Sequence, residues 1–335
     1  MTTPKLAVAR SGFGGRGYRI PGRGSLEVDS KGKERFVAEI YPSVTTCLQT
    51  VNKPALYQWI ADQTAAKAIA SIPYLMAVSE EVAWGSLRWY WSKEPELIGD
   101  AVRLYYEGVK NDAAELGTAI HAYAEADIDE LTPHPEITSI EMDEMVEAWE
   151  WFRADHEIVS HRQEFTIVND TLRYAGTGDA DWTITCLHEP DEAGNYCLGK
   201  EAGPHRTLVD LKSSRHTWNE HGFQLAALGA AEVIMREVSE GTPGAQRAEK
   251  TEKGNKVVSW WVEDAPPAWE RYALLHIRPD DLDSKGEGIP RFCRLVDQTD
   301  DMDVFMSGFE AATVLARVNR TLKERAKARG IETEE

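Results

Sequence analysis

The sequence predicts a mixed α/β protein of the α+β kind, in which helices flank a central mixed β-sheet and a helical region precedes it. Two observations predict this fold class. In the first half, apolar residues recur at three- and four-residue steps, which is the period of an amphipathic helix. In the second half, short runs rich in β-branched and aromatic residues lie between turn residues, which is typical of strands. Helices followed by strands, with one helix between two strands, favour a mixed sheet.

Four segments are expected along the chain. Residues 1–40 are a basic, Gly-rich arm or hairpin, and residues 41–156 are a helical region. Residues 157–298 hold the core sheet with its helices, and residues 299–335 are a C-terminal helix and tail. The arm is rich in Gly and Arg, and we expect no core-forming pattern in it.

The helical region begins after Pro42, where Ser43 is a suitable N-cap. Its pattern runs to about Trp91 with interruptions at "VNKPA" and "SIPY". It continues through "ELIGDAVRLYYEGVKNDAAELGTAIHAYAEA" and through Ser139–Asp155. Expected strands are "HRQEFTIVND", "YAGTGDADWTI", "HRTLVDLKSS", "KVVSWWVED", "RYALLHIRP" and "FCRLVDQ". A helix over "TWNEHGFQLAALGAAEVIMREV" follows the third strand, and a polar insertion occupies residues 186–205.

Composition restricts the class of protein. No apolar run reaches the roughly 20 residues of a membrane span, so no membrane partner is expected. The N-terminus lacks the apolar stretch of a secretory signal, and four cysteines without regular spacing fit a reducing interior. We therefore expect a cytoplasmic enzyme or binding protein.

Net charge is −19, which at first sight disfavours a nucleic-acid partner. The charge is unevenly distributed, however. Residues 1–35 hold eight basic and three acidic side chains, and residues 317–329 hold six basic side chains and one acidic. These basic ends are either solvated or in contact with phosphates, and the arm either grips DNA or packs on the body as a hairpin.

The stretch "LVDLKSS" carries two charges inside a strand that is otherwise apolar. Side chains alternate along a strand, so Asp210 and Lys212 share one face while Val209 and Leu211 share the other. An unpaired buried charge is costly, so we expect the polar face to line a cleft. There the carboxylate would hold a divalent metal, and the ammonium would orient a nucleophile or offset charge on a phosphate. The alternative is a surface ion pair.

Other polar residues would complete such a site. Asp179 follows the "AGTG" turn and is favoured over Asp181 as a metal ligand, although Asp181 shares its face. His121 lies on a helix, where a half-buried histidine is common without any metal. Gln224 lies on the apolar face of a helix and needs a polar partner there. Glu164 is interpreted as an ordinary exposed acid.

The order of these motifs resembles the RecB-like branch of the PD-(D/E)XK nucleases. The order is His in "GTAIH", Asp in "AGTGD", Asp and Lys in "VDLKSS", and Gln on the next helix. The stretch "YPSVTTCLQTVNKPALYQW" is similar to the N-terminal segment of phage-encoded, CRISPR-associated RecB-like exonucleases. The resemblance covers about Tyr41 to Glu237.

This resemblance implies a PD-(D/E)XK core that hydrolyses DNA with Mg²⁺ or Mn²⁺. His121, Asp179 and Asp210 would be the metal ligands, Lys212 would position or activate the attacking water, and Gln224 would support the site. It further implies an exonuclease in phage DNA recombination, repair or processing, which acts without sequence preference in the host cytoplasm. A second copy of the chain or a phage recombination protein is the expected protein partner. Leu228 departs from the aromatic residue that relatives often have there.

Several relatives hold an iron–sulfur cluster, but the scattered cysteines here predict none. Cys186, His188, Cys197 and His205 leave a structural zinc site open. Two rival functions remain. One is a non-catalytic DNA-binding or interaction protein that keeps the nuclease fold. The other is a metalloprotease, prompted by "HTWNEH", whose histidines are five residues apart and do not share a helix face.

Overall fold

The computed structural model describes residues 8–10, 15–28, 34–49, 95–130, 134–214, 216–252, 255–282 and 287–329. The part of the predicted helical pattern over residues 50–91 lies outside these ranges. The chain divides into two compact units, one formed by Met1–Val51 with Ile120–Glu335 and the other by Asn52–Ala119. In the second unit the structure describes residues 95–119, which are helical.

Strands and α-helices are numbered here in chain order over the described ranges. The strands are β1 Val8–Arg10, β2 Arg16–Val28, β3 Glu34–Pro42, β4 His156–Asn169, β5 Tyr174–Cys186, β6 His205–Lys212, β7 Val233–Val238, β8 Gln246–Glu252, β9 Asn255–Asp264, β10 Arg271–Arg278, β11 Asp281–Leu282, β12 Gly288–Ile289 and β13 Phe292–Asp297. The helices are α1 Val44–Leu48, α2 Pro95–Asp129, α3 Ile140–Asp155, α4 Asn219–Gly229 and α5 Met302–Ala328. A short 3-10 helix, Thr299–Asp301, precedes α5.

The central sheet has eight strands in the order β13-β10-β6-β5-β4-β7-β9-β8. The β6–β10 pair is parallel, and the other neighbouring pairs are antiparallel. The predicted α+β class with a central mixed sheet is therefore confirmed. Among the described helices, none is both long and apolar enough to cross a membrane.

Helices α1, α4 and α5 share one apolar core with the sheet. Val44 of α1, Leu225 of α4 and Phe309 of α5 are each at most 2% exposed and belong to this core. Ser43 caps α1 as predicted, because its hydroxyl accepts a hydrogen bond from the Thr46 amide at 3.0 Å. Helix α3 packs elsewhere on the sheet, through Trp149 against Trp182 of β5.

The helix predicted after β6 is too long, because its C-terminal part forms a strand. Helix α4 ends at Gly229, and Val233–Val238 forms β7. This segment pairs with β4 and β9, with Met235 opposite both Thr166 and Glu263. The β-branched residues of β7 fit a pleated sheet. Pairing with β4 and β9 satisfies its backbone hydrogen-bonding groups, and these distant partners cannot be identified from the local sequence pattern.

The N-terminal segment packs on the body as a hairpin, which is the second of the two alternatives. Tyr18 and Ile20 of β2 and Tyr41 of β3 are buried against a satellite core that includes Met235 and Trp261. The expectation that this segment lacks a core-forming pattern is therefore wrong. Glycines obscure a short alternation in which Tyr18 and Ile20 share one face.

Replacing Ile20 by Ala should destabilise the protein by about 2–5 kcal/mol, because the side chain is fully buried and its loss leaves a cavity. The matched control is Leu26→Ala on the same strand, where the side chain is 68% exposed and the expected change is within about 0.5 kcal/mol. Urea unfolding followed by tryptophan fluorescence measures both variants. Equal effects would show that the hairpin does not contribute to the core.

Candidate metal centre

Three neighbouring strands, β4, β5 and β6, bring the charged residues of the site together. The β4–β5 ladder pairs Gln163 with Ala180 and Phe165 with Gly178, so Glu164 lies opposite Asp179. The β5–β6 ladder pairs Ala180 with Val209, which places Asp179 beside Asp210. The strand register therefore places three carboxylates side by side across the sheet.

Helix α2 adds a histidine to this group. One ligand atom each from His121, Glu164 and Asp179 lies within 4.8 Å of the others. His121 Nδ1 is 3.9 Å from Asp179 Oδ2. The same Asp179 oxygen accepts a hydrogen bond from the Leu211 amide at 2.8 Å, which ties it to β6. The structure thus brings together two of the predicted metal ligands, His121 and Asp179, with Glu164 as a third donor.

Asp210, Lys212 and Gln224 form the adjoining half of the site. Lys212 Nζ lies 2.5 Å from Asp210 Oδ2 and donates a hydrogen bond to the Leu211 carbonyl at 3.1 Å. Gln224 of α4 donates to Asp210 Oδ1 at 3.3 Å. Asp210 Oδ2 is buried and pairs with the Lys212 ammonium. That oxygen has a further lone pair that a cation could use.

The polar face of β6 is more enclosed than its sequence predicts. Asp210 is fully buried and the Lys212 side chain is 15% exposed, so this pair does not line an open cleft. The alternative of a surface ion pair is therefore wrong, because the pair is enclosed and α4 presents Gln224 to Asp210. The His121 side chain is 29% exposed and that of Asp179 is 16% exposed, so solvent reaches the site on their side.

Burial changes the pKa values of the site. The pKa of Asp210 is raised to about 7, first by burial and also by the neighbouring Asp179, although the charge of Lys212 opposes the change. Burial also raises the pKa of Asp179. The pKa of His121 is lowered, first by burial and then by the charge of Lys212, so its imidazole is neutral and has a lone pair to donate. Crowded carboxylates of this kind favour a bound proton or a bound cation.

The donor atoms fit a small divalent cation. Carboxylate oxygens are the ligands that Mg²⁺ and Mn²⁺ prefer, and one neutral imidazole is acceptable to Mn²⁺. The cluster of His121, Glu164 and Asp179, beside the buried carboxylate of Asp210, is the observation that supports this fit.

Glu164 is the site residue that the sequence reasoning missed. It was interpreted as an exposed acid, but it is half-buried and belongs to the cluster. Its φ is +49°, a left-handed conformation that non-glycine residues rarely adopt in a strand. Such strain is found most often at functional positions. The stretch "HRQEFTIVND" does not indicate that Glu164 belongs to the site, because its place there depends on pairing with the strand that carries Asp179.

Asp181 has a structural role, which leaves Asp179 as the candidate metal ligand of the two. Asp181 is fully buried, and its oxygens accept hydrogen bonds from Arg162 (2.9 Å), Arg206 (3.0 and 2.9 Å) and Trp269 (3.1 Å). Both of its oxygens are already occupied by cations and by the indole.

His276 is a second residue that the sequence reasoning did not single out. It lies opposite Lys212 in the parallel β6–β10 pair, and its Nε2 donates to the Ser214 carbonyl at 2.6 Å. This contact fixes the turn that follows Lys212. Leu228, in contrast, is 1% exposed and belongs to the apolar core, so no side chain from that position reaches the site.

The protease motif does not form a metal site on a helix. Helix α4 begins at Asn219, so His216 precedes it. His216 packs its ring edge-on against Trp218. His221 Nδ1 lies 3.3 Å from the Trp218 amide, in the first turn of the helix. Both histidines therefore contact Trp218 at the N-terminus of α4.

The irregular cysteine spacing fits a reducing interior, but the structure contains a disulfide. Cys186 and Cys197 are bonded to each other as a disulfide. Cys47 lies in the apolar core, where burial raises the pKa of its thiol to about 11. Cys293 is a free thiol on β13.

In comparisons with known proteins, no protein-family model matches the chain and no curated protein matches it significantly. The geometry of the site and the order of its motifs are therefore the features that indicate a function.

Stability without metal should depend on pH through Asp210. Its pKa is about 7 in the folded chain against an ordinary value of 3.8, so the folded state binds the extra proton between these values. The free energy of unfolding should therefore fall as pH rises from about 4 to about 7. Asp210→Asn removes this loss, so the variant should gain stability relative to wild type over the same range. Urea unfolding in chelator at several pH values measures it, and parallel pH profiles of the two proteins would contradict it.

Asp181→Ala should destabilise the fold by about 3–5 kcal/mol, because it leaves Arg162 and Arg206 without their buried partner. Asp179→Ala should cost much less, because it also removes a repulsive charge beside Asp210. Thermal and urea unfolding of the two purified variants compares them. A larger loss in Asp179→Ala would reverse the two roles.

Proposed function

We propose that this protein is a metal-dependent DNA nuclease with a PD-(D/E)XK core of the RecB-like branch. One observation carries the proposal. The register of β4, β5 and β6 gathers three carboxylates and a lysine, to which helices α2 and α4 add His121 and Gln224. These residues also occur along the chain in the order that the family resemblance requires.

The ligands would come from both halves of the site. His121, Glu164, Asp179 and Asp210 would hold one Mg²⁺ or Mn²⁺ ion. When bound, such a cation neutralises charge on the scissile phosphate and lowers the pKa of a water molecule. Gln224 holds the Asp210 carboxylate by its hydrogen bond to Oδ1, which leaves Oδ2 to the cation and to Lys212.

Lys212 supplies the positive charge nearest the reacting phosphate. Its ammonium is held between Asp210 and the Leu211 carbonyl, so its position is fixed before substrate binds. A fixed ammonium in an enclosed site stabilises negative charge that develops on phosphate oxygens more strongly than an ammonium in water does. Lys212 therefore positions the water or offsets that charge.

DNA is the proposed substrate, and binding would occur through its backbone without sequence preference. The crowded carboxylates repel phosphates until a cation neutralises them, so binding should depend on metal. Basic side chains at the chain ends contribute less than their number indicates. Arg23 pairs with Asp170 and Glu263, and Arg320 pairs with Glu324. Exonuclease action, a role in phage recombination and a protein partner in that process are proposed from the family resemblance.

Purified protein should degrade linear DNA with Mg²⁺ or Mn²⁺ and should be inactive in chelator. Lys212→Ala and Glu164→Gln should each reduce the cleavage rate by about 100-fold or more, because each removes a group that stabilises charge or holds the cation. Glu157→Gln and Lys200→Ala are the matched controls, since both side chains are exposed. Fluorescently labelled DNA and gel electrophoresis measure the rate.

The same experiment distinguishes the remaining alternatives. Cleavage of linear but not of closed circular DNA supports an exonuclease, and cleavage of both supports an endonuclease. Folded wild-type protein that binds DNA without cutting it in either metal would support the non-catalytic alternative. Full activity in Lys212→Ala would make the Asp210–Lys212 pair structural.

A further inference from the structure

A second group of metal-ligating side chains lies far from the candidate nuclease site. One ligand atom each from His156, Cys186, His188 and Cys197 lies within 4.8 Å of the others. Cys186 is seven residues beyond Asp179 on β5, which is roughly 23 Å along a strand. The proposed nuclease function makes no use of this group.

Strand pairing and the following insertion bring these four residues together. His156 begins β4 and lies directly opposite Cys186, the last residue of β5. His188 and Cys197 belong to residues 187–204, which connect β5 to β6. Hydrogen bonds order this connection. The Cys186 amide donates to the Ala202 carbonyl at 2.7 Å, and Asp191 Oδ1 accepts from the Asn195 amide at 2.8 Å.

Both histidines are oriented for metal binding through Nε2. His156 Nδ1 lies 2.8 Å from the Phe152 carbonyl, and His188 Nδ1 lies 2.8 Å from the Glu189 carbonyl. A carbonyl only accepts, so each Nδ1 carries the hydrogen and each Nε2 keeps its lone pair. Metal-ligating histidines commonly donate their other ring nitrogen to a carbonyl in this way.

His156 provides the second observation that points to a ligand. The residue is 7% exposed, and its Nε2 is buried without a hydrogen-bond partner in the described parts of the chain. The Phe152 ring stacks on its imidazole at 4.2 Å, so the ring is held in place. A buried acceptor without a partner is unfavourable, and a metal ion would satisfy it.

We propose that, when Cys186 and Cys197 are reduced, these four residues bind a structural zinc ion. Two thiolates and two imidazoles are a common tetrahedral ligand set for Zn²⁺. Bonds of about 2.0 to 2.3 Å place the ligand atoms of such an ion roughly 3.3 to 3.8 Å apart, so small movements bring the present cluster to that geometry. His205, which the sequence suggested as the fourth ligand, is otherwise engaged. Its Nε2 is 3.1 Å from the Glu201 carbonyl, and its Nδ1 is 3.7 Å from Glu270.

The chemistry of the site has two steps. In the structure the two sulfurs are bonded to each other. A dithiol reductant supplies two electrons and two protons, the S–S bond breaks, and the reductant becomes a disulfide. Zn²⁺ then displaces the two thiol protons, which pass to water, and binds the thiolates. In a reducing interior, as the sequence predicts, the thiol form is favoured. The ion would fasten the 187–204 connection to the end of the β4–β5 hairpin.

The test uses the full-length chain, reduced with a phosphine, loaded with Zn²⁺ and then desalted. Elemental analysis should find one zinc ion more in the wild type than in Cys197→Ser or His188→Ala. Cys293→Ser and His161→Ala are the matched controls and should keep it. Because His188 is partly exposed, its variant should fold, and circular dichroism checks this.

Cobalt distinguishes this site from the carboxylate site. Co²⁺ bound by cysteines gives a thiolate-to-metal charge-transfer band, which the ligands of the nuclease site do not produce. Removal of zinc should lower the melting temperature of the reduced wild type to that of Cys197→Ser. Reduced, folded wild type that binds no zinc and gives no thiolate band with cobalt would overturn the proposal. A zinc content that is equal in the wild type and in both site variants would do the same, whatever the nuclease assay shows.

Discussion

The carboxylate of Asp181 fixes the register on which the candidate nuclease site depends. It accepts hydrogen bonds from Arg162 on β4 and from Arg206 on β6, so one buried acid links three adjacent strands. Each strand then carries a site residue two or four positions from its member of this group, namely Glu164, Asp179 and Asp210. A slip of one residue would leave a buried charge without its partner, which is costly. The same slip would separate the carboxylates of the site.

The two halves of the site illustrate opposite treatments of buried charge. The charge of Asp181 is neutralised by two guanidinium groups of the protein, so this carboxylate needs no further cation. Asp179 and Asp210 have one ammonium between them and raised pKa values, so they remain short of positive charge. Acids on the same strand, two residues apart, therefore differ in whether the protein itself supplies their counter-ions. That difference separates a structural acid from a candidate ligand.

The sequence predicts those structural features that are determined by residues close together in the chain. The cap at Ser43, the α2 and α3 helices and the charged pair on β6 all follow from neighbouring residues. The strand at Val233–Val238 and the role of Glu164 depend on partners that are distant in sequence. The assignment of Asp181 likewise requires Arg206 and Trp269, which no spacing rule connects to it. The sequence does not indicate a role for His156, because its neighbour Cys186 is 30 residues away in the chain and the β4–β5 pairing brings the two together.

The left-handed backbone at Glu164 has a consequence for engineering. A side chain in that conformation costs roughly 1–2 kcal/mol relative to a residue that adopts it freely, such as glycine. Libraries screened only for heat resistance would therefore enrich glycine or asparagine at this position. The variants selected in such a screen would be more stable but would lack a carboxylate at the centre of the cluster. Retention of glutamate under that pressure would reveal that the acid performs a task other than folding.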